Sequence, residues 1–89
     1  MASIITAVEV EDYDNWRSKF DSMKEHRQEH SLRGGHVYQN VDNPNMVTVV
    51  IDGDLSDLRA YAGSQALKEA MAEGGVVGPP QFSFVNEVT

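Results

Sequence analysis

Cysteine is absent from the 89 residues, so neither a disulfide nor a thiolate metal cluster can supplement the hydrophobic core. Positive charge is scarce: seven Lys and Arg stand against fourteen Asp and Glu, a net charge of −7 that repels phosphate backbones and anionic lipid alike. Nucleic acid and membrane surfaces are therefore not expected partners. No apolar run reaches the about 18 residues of a membrane span, and the opening Met-Ala-Ser-Ile-Ile has no charged n-region before a long apolar stretch. A cytoplasmic location is the simplest expectation. Missing too are a P-loop, a dinucleotide fingerprint and a nucleophile elbow. Length is the last shortage. A single domain spanning residues 1–89 is expected, and a chain this short buries only roughly 60% of its unfolded surface, which favours self-association as the missing stabiliser.

What is present reads as alternating strand and helix. Residues 3–10 are rich in β-branched side chains, with Ile4, Thr6, Val8 and Val10 on one face and Ile5, Ala7 and Glu9 on the other. Asp12 and Asp14 offer N-caps, after which Tyr13, Trp16, Phe20 and Met23 follow a helical period toward Glu29. Arg33-Gly34-Gly35 is expected to break that helix before a second strand over 36–41. Turn chemistry at Asp42-Asn43-Pro44-Asn45 then makes a hairpin with a third strand over 46–52. A second helix begins at Asp54 and breaks at Gly63-Ser64, where Ser64 caps a further piece that ends at Gly74-Gly75. Residues 76–80 are expected to be a stiff loop, and 81–88 the fourth strand.

The order β-α-β-β-α-β, whose helices join strands expected as parallel neighbours, predicts an α+β, ferredoxin-like, four-stranded antiparallel sheet with two helices on one face. The other sheet face would carry a second set of apolar residues. A monomer would leave them in water, so a homodimer through the sheet faces is expected.

Against this frame, the spacing Asp12-Tyr13-Asp14-x-Trp16-x3-Phe20-x6-Arg27-x6-Gly34 is followed by Asn43-Pro44, Ser64-x2-Leu67-Lys68-x-Ala70-Met71 and Gly75-Val76-Val77-Gly78-Pro79-Pro80. Together these resemble the small bacterial proteins of the dimeric α+β barrel superfamily, cyclase-like and antibiotic-biosynthesis-monooxygenase-like. The resemblance spans nearly the whole chain. It implies a homodimer whose two sheets close into a barrel, with a pocket in each protomer between helices and sheet. It also implies chemistry without a cofactor, of the cyclase or monooxygenase type, on an aromatic, polyketide-like or quinone-like compound. The alternative is a non-catalytic dimeric ligand-binding or accessory module. Fold likeness alone transfers no residue roles.

The residues suggest where such chemistry would sit. On a helical wheel centred on Met23, Trp16, Phe20, Arg27 and His30 all fall within about 60°. Arg27 and His30 thus continue the apolar stripe, either to meet a ligand or, for His30, to interact with the helix C-terminus. Tyr61 on the second helix would face the same space, with Trp16 and Tyr61 equally suited to core packing. His36, Tyr38 and Asn40 share one phase of the second strand within about 13 Å. Such a row would supply a base, an acid or oxyanion donor, and an orienting amide; on an edge strand it would simply be a wet polar face. His30, His36 and Tyr38 are therefore the candidate catalytic residues, and Trp16, Phe20, Arg27, Asn40 and Tyr61 the candidate substrate-binding ones. His26, Glu29 and His30 also form an H-x-x-E-H pattern. A catalytic zinc needs a third protein ligand, Glu29 falls on the outer helix face, and no metal is expected.

Overall fold

A computed structural model of the chain describes residues 2–88. β1 (Ala2–Val10) alternates buried and partly exposed residues, with Ala2, Ile4, Thr6, Val8 and Val10 turned inward. Asp12 caps α1 (Tyr13–Ser22) by accepting the Asn15 N–H at 3.3 Å. α2 (Lys24–Glu29) leads to β2 (Arg33–Gln39), and a hairpin joins this to β3 (Met46–Gly53). α3 (Leu55–Ala62), α4 (Gln65–Glu73) and β4 (Val76–Asn86) complete the order.

The four strands form one antiparallel sheet in the order β2-β3-β1-β4. Each βαβ connection is therefore split. β1 and β2 are separated by β3, and β3 and β4 by β1, which corrects the expectation that the joined strands are neighbours. The helices cover one face. Register places Ile4 beside Ile51 and Phe84, and Val49 beside Thr6 and Val37, so one phase of every strand meets Trp16, Leu58, Tyr61 and Leu67 in the core.

Three local details depart from expectation. The first helix is interrupted at Met23, whose N–H turns back to the Phe20 carbonyl at 3.1 Å. It ends at Glu29 as expected, but the stop is made before the glycines, where Ser31 takes the left-handed position (φ 59°) and the Leu32 N–H closes on the Arg27 carbonyl at 3.0 Å. Gly34 and Gly35, at φ 84° and 95°, instead form a bulge inside β2. Finally, the Val76–Pro80 segment is strand, with Val76 and Val77 paired to Val10 and Glu9. Gly78 (φ 73°) and the two prolines lie in the register shift between those pairs and Gln81. β4 is an edge strand, so the N–H donors that Pro79 and Pro80 lack interrupt no further ladder.

Candidate functional site

A cavity of about 40 Å³ lies between α1, α2 and α4 on one side and β1 and β3 on the other. Its floor is Thr6, Val8, Val49 and Ile51 from the inward strand phase. Leu67, Ala70 and Met71 form one wall. The opposite wall carries Trp16, Phe20, Met23 and Arg27 from the helical stripe, with Tyr61 from α3 joining them.

Trp16 and Phe20 stack with ring centroids 5.2 Å apart, and the guanidinium carbon of Arg27 lies 4.0 Å from the Phe20 centroid on the same stripe. Arg27 Nη1 also donates at 2.9 Å to the Phe20 carbonyl, which accepts the Met23 N–H at 3.1 Å as well, at the point where the helix is interrupted. Tyr61 is 4% exposed. Burial pushes its hydroxyl above the usual phenol value, while the nearby positive charge of Arg27 acts in the opposite sense. Lys19 lines the cavity as well, but Glu73 on α4 holds it in an ion pair.

Around Tyr61 sits a second, more polar group. His26 and His30 meet edge to face with centroids 4.8 Å apart, and lie 5.7 and 6.0 Å from the Tyr61 ring. The Ser64 hydroxyl donates to the Tyr61 carbonyl at 2.8 Å and accepts the Leu67 N–H at 3.2 Å. His26 Nε2, at 3.3 Å from that hydroxyl, is then the donor, which leaves Nδ1 toward Glu29 at 3.8 Å. Among the described residues no three His, Cys, Asp or Glu side chains gather around a common point to hold a metal ion.

The candidates therefore divide. Trp16, Phe20, Arg27 and Tyr61 come together on the cavity, whereas His30 touches Tyr61 from outside it. His36 and Tyr38 pair with Val50 and Thr48 on the sheet face away from the helices, and Tyr38 is 56% exposed. Asn40 lies beyond the end of β2, where its Oδ1 accepts the N–H groups of Asp42 and Asn43 at 2.8 and 3.0 Å. It shapes the hairpin turn. Two polar cavity residues, Thr6 and Lys19, were not among the candidates read from the sequence. Thr6 had a signal: it is the one polar residue on an otherwise apolar strand face.

No protein-family model matches the sequence, and no curated protein matches it. Solved structures do match. One, described as a candidate antibiotic biosynthesis monooxygenase from Bordetella bronchiseptica, superposes with a TM-score of 0.82 at 14% identity, covering 99% of this chain and 97% of that one. The chain has the fold of the antibiotic biosynthesis monooxygenase-like proteins. A protein of the same description from Deinococcus radiodurans gives 0.76 at 10% identity, over 100% of this chain and 94% of its own. A conserved protein from Methanosarcina mazei Go1 gives 0.75 at 16%, over 98% and 92%. At such identities the shared property is the backbone arrangement. No helix among the described residues is long and apolar enough to cross a membrane.

Proposed function

We propose that the cavity between helices and sheet binds a small, mostly apolar aromatic or quinone-like molecule, and that the chain works as a homodimer joined through its outer sheet faces. The observation that carries the binding proposal is the convergence of Trp16, Phe20, Arg27 and Tyr61 on one largely apolar space. At about 40 Å³ that space is well short of the about 150 Å³ that accepts benzene in an engineered cavity. Entry of a ring then requires wall residues to move, and the half-buried, unbranched side chains of Met23 and Met71 are the ones built to do so. The neighbours are described as antibiotic biosynthesis monooxygenases, and the resemblance read from the sequence implies chemistry of the monooxygenase or cyclase type without a cofactor, for which a histidine would move the proton.

One observation favours the second reading, a binding or accessory module without chemistry. The titratable groups lining the cavity among the described residues are Lys19, Arg27 and Tyr61, with neither imidazole nor carboxylate. Trp16 is the single tryptophan, so its emission reports occupancy. Phenol is expected to change that emission saturably in the native protein and not after Ala70→Leu, which fills the cavity. A response that Ala70→Leu leaves intact would place the binding elsewhere. Loss of oxygen consumption with a hydroquinone in His30→Ala or His36→Ala would support the enzymatic reading, and unchanged rates in both would remove its general bases.

A further inference from the structure

Arg27 is out of keeping with its surroundings. The ion pairs among the described residues join Arg17 to Asp21 and Lys19 to Glu73, Glu29 lies 3.8 Å from His26, and none of these contacts includes Arg27. Arg27 is half-buried on a cavity lined, apart from Thr6 and the Glu73-paired Lys19, by aromatic, aliphatic and thioether side chains. A guanidinium has five N–H donors, of which the Phe20 carbonyl engages one nitrogen and the Tyr61 hydroxyl oxygen lies close enough to accept another, leaving donors over. Withdrawing a cation from water without a counter-ion is costly, and an anion entering the cavity would offset that cost.

The group is also held still. Trp16, Phe20 and Arg27 form a continuous stack, so the fork cannot turn freely and little side-chain entropy remains to be lost on binding. The nearby Tyr61 hydroxyl supplies a second, uncharged donor. The rest of the molecule, at a net charge of −7, discourages anions, which makes an inward-facing, carboxylate-free cation a local exception.

We propose that the cavity selects an aromatic monoanion, with its ionised oxygen on the free N–H groups of Arg27 and the Tyr61 hydroxyl, and its ring between Val49 and Met71. This rests on the reading of the cavity as a ligand site. The ligand class is a carboxylate, phenolate or enolate carried on a flat ring, because a guanidinium fork matches oxygens in a plane.

The test is a matched pair of probes, benzoate and benzamide, titrated into the full chain with Trp16 emission as readout. They share shape and differ in charge. Benzoate is expected to bind about tenfold more tightly, with an affinity that falls as salt rises, whereas benzamide is indifferent to salt. Arg27→Met, which keeps an apolar stem over Phe20, should abolish the preference for benzoate and its salt dependence. Arg27→Gln should do the same while retaining a donor for the Phe20 carbonyl. Should both variants unfold, the native protein's preference and its salt dependence still decide the matter. Equal affinity for the two probes in the native protein overturns anion selection and leaves the cavity reading standing. A preference that survives both substitutions overturns the assignment to Arg27. Saturable binding of neither probe overturns the cavity reading and this inference together.

Discussion

Tyr61 stands where the cavity, the two histidines and the Arg27 charge meet. Its hydroxyl is buried, and burial raises its pKa above the ordinary value of 10.0. The folded state therefore holds this proton more tightly than the unfolded chain does. The associated stability is fully present below about pH 10 and is lost as pH rises through the higher folded value. Denaturant titrations across the alkaline range should show that loss in the native protein and a smaller one in Tyr61→Phe. At neutral pH the same substitution is expected to cost about 1 kcal/mol, the worth of a buried hydroxyl with a polar neighbour. A pH dependence identical in the two proteins would show that the hydroxyl is hydrated. Trp16, Phe20 and Arg27 were legible beforehand because a helical period puts them on one stripe whatever the stripe packs against. His36 and Tyr38 were legible as a row, but periodicity does not say which sheet face the helices cover.

Each long helical segment is broken into two elements, and side chains serve both breaks. At Met23 the Arg27 guanidinium takes up the Phe20 carbonyl, and at Gly63-Ser64 the Ser64 hydroxyl bonds Tyr61 behind it and Leu67 ahead of it. The second break was predictable from a capping residue following glycine. The first was not, since nothing about a methionine marks a helix interruption. Ser64→Ala removes an N-cap and a carbonyl partner together, and equilibrium unfolding should register a loss of about 1–2 kcal/mol. A change within about 0.5 kcal/mol, the range of ordinary surface substitutions, would mean that water replaces the hydroxyl. Proline and glycine misled the reading of 76–80 as loop. Both residue types are compatible with an edge strand that carries a bulge, and that is decided by the strand's position in the sheet.

At the scale of the molecule, the sheet has a second face with Ile5, Val50, Tyr38 and Val85 among polar residues such as Ser3, Thr48 and Asp52. Val85 is 38% exposed, and Ile5 and Val50 are half-buried without any helix above them. If two copies meet here, sedimentation at micromolar concentration should give twice the 9.9 kDa chain mass. Val50→Asp should shift that to monomers with the helix content retained, because a lone carboxylate buried against a partner is costly. A folded native monomer at that concentration would defeat the dimer proposal. By itself the sequence determined the order of strands and helical segments, the division of β1 into two faces and the aromatic stripe of α1, because these follow from local periods and caps that need no distant partner. Tertiary structure alone decided three things: that β3 and β1 each separate strands joined by helices, that residues 76–80 pair as an edge, and that four of the eight candidate site residues share a cavity while His36 and Tyr38 lie across the sheet. These depend on contacts between segments far apart in the chain, where burial and strand order choose among arrangements that local propensity leaves equivalent.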